Sequence, residues 1–157
     1  MEVGIADLKV STKDTVLKTT SLGSCIALIL YDPLKKIGGL AHIMHSDSNI
    51  IKNNTNPAKC VDTAISEMLR KISNMGGEKI RLKAYIIGGA CMFTTLESGP
   101  EGTIGKKNIN MAKEILEEEK ISIEGEDTGL NYGRSVEFST ISGEVVVKSM
   151  QYGVKKL

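Results

Sequence analysis

Every position from Ile26 to Tyr31 is apolar, so both alternating sets of a strand there, Ile26, Leu28 and Leu30 on one side and Ala27, Ile29 and Tyr31 on the other, need cover. Such a segment predicts a central strand. Asp32-Pro33-Leu34-Lys35 follows as a turn, with Pro presetting φ, and residues 25–31 and 36–43 become the two arms of a hairpin. Upstream, Val3, Ile5 and Leu8 to Val10 predict an opening strand, and Thr15 to Leu17 a second that leads to a turn over Ser21 to Ser24. The polar run 45–56 predicts a loop of the kind that rims sites. Helical spacing of Val61, Ile65, Met68, Leu69 and Ile72 predicts a first helix, with Asn56 as N-cap, Pro57 at its first position and Gly76-Gly77 as its stop. Ile109, Ala112, Ile115 and Leu116 predict a second helix from about Thr103 to Lys120.

Ile80 to Ile87 alternates as a strand with Ile80, Leu82, Ala84 and Ile86 on one face. It ends at Gly88-Gly89, where a tight turn is expected to bury Cys91, Met92 and Phe93. Residues 121–124, 135–140 and 144–148 complete the strands, the last two paired around Ser142-Gly143, and 153–157 reads as a loose tail. Strands outnumber helices and several are joined as hairpins. The expected fold is therefore α+β (α/β layered), a mixed, largely antiparallel sheet with two main helices packed outside, in one domain over 1–157.

Composition narrows the function. Twenty basic against nineteen acidic residues leave a net charge of +1 without a basic cluster, which argues against nucleic acid as ligand. No apolar run approaches the ~20 residues of a membrane span, and the first residues lack a signal-peptide pattern, so the expected location is cytoplasmic, with no direct membrane insertion. The three cysteines, Cys25, Cys60 and Cys91, show no C-x-x-C spacing, and no strand-linked glycine motif for nucleotides is present; neither metal nor cofactor is expected.

Cys25 is the candidate nucleophile. It follows the Gly23-Ser24 turn at the mouth of the apolar strand, held rigidly yet near solvent. The hairpin supplies a base. If Asp32 pairs with Lys35, Cys25 faces His42; if Asp32 pairs with Ile37, His42 lies one diagonal step away on the same face. A bulge or odd loop would present His45 instead. A histidine partner is expected to lower the thiol's pKa from ~8.5. The backbone N–H of Cys25, with the Gly23-Ser24 turn, is the candidate oxyanion site. The candidate rim comprises His45 and Ser46 with the Gly88-Gly89-Ala90 turn. A metal site of His42, His45, Asp47 and Cys25 is a weaker rival, because on a strand His42 and His45 point to opposite faces.

Leu-Gly-Ser-Cys at 22–25, Ala-His at 41–42, Gly-Gly-Ala-Cys-Met-Phe at 88–93, Ile-Gly-Lys-Lys-Asn at 104–108 and Gly-Arg-Ser-Val at 133–136 together resemble the CheD family, the chemoreceptor glutamine deamidases of bacterial and archaeal chemotaxis. The resemblance runs from about residue 3 to 150. It implies a single-domain amidohydrolase with Cys25, His42 and Thr19 as catalytic residues, and a core similar to that of cytotoxic necrotizing factor toxins. It also implies chemoreceptor helices as substrate and a CheC-like phosphatase of phosphorylated CheY as partner, which competes with receptor for the site. Without the resemblance, Thr19 reads as an ordinary strand or turn residue. One departure stands at the rim: many members continue His-x-Met-Leu-Pro, whereas this chain has His45-Ser46 after Met44.

Overall fold

The apolar run that demanded cover on both sides is the middle of a sheet. In the computed structural model, which describes residues 1–93 and 102–157, β3 (Ile26–Asp32) is buried along its whole length. It lies at the centre of a five-stranded sheet of order β1-β4-β3-β5-β6, formed with β1 (Asp7–Ser11), β4 (Ile37–Ile43), β5 (Lys83–Gly88) and β6 (Ser122–Thr128). Only the β5–β6 pair is parallel.

The remaining strands form a separate antiparallel sheet of order β2-β7-β8-β9, from β2 (Val16–Leu22), β7 (Arg134–Ser139), β8 (Val145–Ser149) and β9 (Gly153–Lys156). Helices α1 (Val61–Asn74) and α2 (Ile104–Glu118) cover one face of the first sheet. The second sheet covers the other. The fold class is thus α+β with mixed sheets and two helices, but the strands divide into two stacked sheets instead of one. The two sides of β3 account for this. Ile26, Leu28 and Leu30 pack with Ile65, Met68, Ala112 and Leu116 of the helices, whereas Ala27, Ile29 and Tyr31 pack with Leu17, Val136, Phe138 and Val147 of the second sheet.

Several expectations are corrected. Lys79–Arg81 is a single 3₁₀ turn, Ile80 is 89% exposed, and the strand begins only at Lys83. Alternation misled there because a period-two pattern through Ile80 was chance. Pro57–Lys59 likewise forms a 3₁₀ turn capped by Asn56, and the α-helix starts after Cys60. Met92 and Phe93, expected inside a turn, are exposed at 44% and 68%. The supposed loose tail is β9, hydrogen-bonded to β8, with Leu157 N–H donating to Val145 O.

The hairpin register follows from its turn. Asp32 pairs with Ile37, so Pro33 to Lys36 form the loop, with Lys36 at φ 54°. The fully buried Asp32 carboxylate accepts from Leu34 N–H and Lys35 N–H, pinning that loop, and from the Arg81 guanidinium at 2.7 Å. Burial pushes this carboxyl up, but hydrogen bonds from Arg81 and from the Glu78 and Lys35 N–H groups outweigh it and bring its pKa to about 2.

A candidate active site between two sheets

The register sets Ala27 opposite His42, so Cys25, two positions before Ala27, shares the face on which His42 lies, one diagonal step away. That face looks into the space between the sheets. His42 is fully buried, and Cys25 packs at the edge of the same cluster while remaining partly accessible. Of the two, the thiol is the one that meets solvent.

Thr19 arrives from the other sheet. Its pairing with Val136 and the pairing of Leu22 with Arg134 leave one extra residue between them, a bulge in which Ser21 takes φ 60°. By simple alternation Thr19 and Leu22 would face opposite ways, yet both are buried. Alternation with Leu17 already sets Thr19 inward, and the bulge resets the phase so that Leu22 also reaches the core before the Gly23 turn. Thr19 Oγ1 lies 2.7 Å from His42 Nδ1 and 2.6 Å from Val3 O. A carbonyl oxygen only accepts, so the single hydroxyl proton goes to Val3 O, and Oγ1 must accept from Nδ1–H. This assignment fixes the tautomer. Nε2 carries the lone pair, and among the described residues that atom has no hydrogen-bond partner.

The thiol and imidazole are not joined by a hydrogen bond in this resting arrangement. Burial pushes the Cys25 thiol above its usual 9.0, against a smaller lowering by its own backbone N–H, and burial pushes His42 below 6.5. Desolvation dominates both groups and favours their neutral forms, the opposite direction to the lowering expected for the thiol. The chemistry open to a neutral thiol and imidazole is general-base transfer at the moment of attack, without a standing ion pair.

The turn that carries the thiol is held from behind. Ala90 N–H donates to Gly23 O at 2.8 Å and Gly89 N–H to Cys25 O at 2.9 Å. Among the described residues the N–H groups of Gly23, Ser24 and Cys25 donate to no backbone carbonyl outside the strand ladders, and that of Cys25 faces its own sulfur. An array of tied carbonyls and free N–H groups is what an oxyanion site requires. Gly88, Gly89 and Ala90 are buried beneath the turn, so their place is structural support and not the solvent rim. At Gly88, φ is 104° and a Cβ would stand 2.5 Å from Cys25 O, so only glycine allows this approach.

His45 lies past the end of β4, half-buried, its backbone bridging to Cys60, with Ser46 beside it. Neither is brought to Cys25 by a hydrogen bond. A groove of ≈ 670 Å³ opens on the other side, lined by Ser21, Met92, Tyr132, Arg134 and Met150, and Met92 Cγ stands over Gly23, 3.5 Å from where a Cβ would be. Arg134 forms its inner wall, fully buried, paired with Asp127 at 3.0 Å and stacked on Tyr132 at 4.0 Å. Sequence reasoning noted Gly133-Arg134 only as a motif. Among the described residues no group of three or more His, Cys, Asp or Glu side chains is gathered as metal ligands would be.

Comparison with known proteins adds a family. A family model described as CheD chemotactic sensory transduction matches residues 44–149. The chain is 41% identical over 157 residues, all of its length and 98% of the relative's, to a protein of Lachnoclostridium phytofermentans named probable chemoreceptor glutamine deamidase CheD. Proteins with that same name from Clostridium novyi and Desulforamulus reducens are 44% identical over 157 residues and 45% over 150, covering 97% and 90% of those chains and 100% and 96% of this one. The family match begins after His42, but these alignments extend across residues 19–42.

Proposed function

The chain belongs to the CheD family, and from that premise we propose that it is a chemoreceptor glutamine deamidase in which Cys25 is the nucleophile, His42 the general base and Thr19 the residue that orients the imidazole. The observation that carries the reading is the Val3–Thr19–His42 chain of hydrogen bonds, which leaves the Nε2 lone pair on the face shared with Cys25.

Nε2 takes the Sγ proton as the sulfur attacks the side-chain carbonyl carbon of a glutamine, and the oxyanion gathers the free N–H groups of the Ser24-Cys25 turn. The imidazolium then gives its proton to the amide nitrogen, ammonia leaves, and a thioester remains. His42, neutral again, deprotonates a water that attacks the thioester. The tetrahedral intermediate expels the Cys25 sulfur, which recovers the proton, and the product is glutamate. Thr19 holds Nδ1–H throughout, the part played by the third member of other triads.

The same reading places the protein in the cytoplasm, acting on receptor helices, with a CheC-like phosphatase as a partner that competes for the site. Among the described residues no helix is long and apolar enough to cross a membrane. The test is mass spectrometry of a co-expressed receptor. Wild-type protein should produce the amide-to-acid mass increase at specific glutamines, and Cys25→Ala should produce none, while Cys60→Ala and Cys91→Ala keep the activity. Conversion at the wild-type rate by Cys25→Ala would overturn the mechanism.

A further inference from the structure

Asn108 sits on α2, fully buried, and its role has no counterpart in the chemistry described so far. Its Nδ2 donates to two backbone carbonyls, Ser24 O at 3.0 Å and Met44 O at 3.1 Å. Both amide protons are thereby used. The two acceptors are far from random. Ser24 O belongs to the same peptide unit as the Cys25 N–H, and Met44 O lies just past the end of the strand that carries His42. One side chain therefore ties the nucleophile's peptide to the base's strand.

In a trans peptide the carbonyl and the N–H point in opposite directions. Drawing Ser24 O toward α2 aims the Cys25 N–H away from it. Gly23 O and Cys25 O are held by backbone donors from Ala90 and Gly89, so of three successive carbonyls only the middle one depends on a side chain. A hydrogen bond at a carbonyl also polarises the peptide and strengthens its N–H as a donor. The close approach of α2 has a visible cause: Gly105 passes so near that a Cβ there would meet Gly89 O at 2.3 Å. One helical turn later, this contact sets Asn108 at the Ser24 carbonyl.

We propose that Asn108 is a positioning residue for deamidation, which fixes the Ser24–Cys25 peptide so that the Cys25 N–H meets the developing oxyanion. The inference rests on the reading of Cys25 as nucleophile. Asn108→Ala and Asn108→Leu remove both donors, the second keeping the branched outline of the side chain at a larger volume. Each should lower kcat by about a hundredfold, the order of losing an oxyanion donor, with KM within about twofold. The rate and pH dependence of Cys25 alkylation by iodoacetamide should stay as in wild type, because that displacement develops no oxyanion. If these two variants melt below the assay temperature, Asn108→Ser, whose single hydroxyl proton serves only one carbonyl, is read in the same way. A kcat within about twofold of wild type in any folded variant would overturn the proposal. So would a loss of alkylation that matches the loss of turnover, since that means general disorder. Cys25→Ala run beside them separates the two readings: if it is inactive while the Asn108 variants are normal, only the positioning role fails, and if it is active the nucleophile assignment itself fails.

Discussion

Thr19 has one proton to give and Val3 O takes it, so this hydroxyl serves His42 only as an acceptor. Thr19→Val keeps the shape but strands Nδ1–H in a dry interior and releases the tautomer. We expect kcat to fall about 10²-fold, a general-base contribution lost, with most activity restored in Thr19→Ser; ammonia release from receptor measures it. The pH behaviour follows from desolvation. His42 titrates below 6.5, so the acid limb of kcat/KM should lie below that value. Its stability contribution is complete above 6.5 and declines as pH falls toward the folded value, because the unfolded chain takes up the proton first. The thiol titrates above 9.0, so iodoacetamide labelling of Cys25 should rise only there; a plateau of labelling near pH 6 would reveal a thiolate–imidazolium pair instead. Much of this was legible in sequence. The Gly-Ser turn marked Cys25, and counting back through the hairpin put His42 on its face. Thr19 came only through family resemblance, because its contact spans 23 positions and crosses between sheets. Asn108 was missed, for an amide that bonds carbonyls 84 and 64 residues away leaves no spacing to read.

At the level of elements, the hairpin turn decides which residue lies opposite His42. Asp32 holds that turn through its bonds to Leu34 and Lys35 and anchors it to Arg81. Its side chain is fully buried and its carboxyl is brought from 3.8 to about 2. Asp32→Ala should therefore lower stability by about 2–4 kcal/mol in urea titrations at neutral pH. The wild-type contribution is fully present above 3.8 and is lost as pH falls through about 2, so the two proteins should converge in strong acid. The sequence marked the turn correctly through Asp-Pro but left two registers open, because only the bonds to the loop N–H groups select between them. It also missed the bulge in β2. Nothing in Thr20-Ser21 announces a left-handed φ, which the pairing with β7 imposes.

For the whole molecule, two sheets stacked under a helical layer replace the single sheet that was expected. Hydrophobic pattern alone reveals that β3 is covered on both faces; it does not say whether helices or strands do the covering. β9 is exposed along its length and carries Lys155 and Lys156 at the outer edge of the second sheet, a charged border that discourages strand addition. Truncation after Tyr152 removes this border and the packing of Leu157. It should lower stability by about 1–2 kcal/mol and raise the tendency to aggregate, while kcat stays close to wild type; thermal melts and light scattering would read both effects.

The bulged strand β2 has a consequence in time. Its pairing partner is β7, and the contact from Val16 to Ser139 closes nearly the whole chain into one loop, whose closure entropy must be met before the contact is made. The hairpin that brings Cys25 and His42 onto one face needs only neighbours in sequence and forms early. During synthesis, therefore, the thiol and its base are assembled while the strand that orients the imidazole still waits for residues near the far end of the chain. On the proposed roles of Cys25 and His42, a half-refolded molecule would hold the thiol without an oriented base, so deamidase activity is expected to return no earlier than the pairing of β2 with β7.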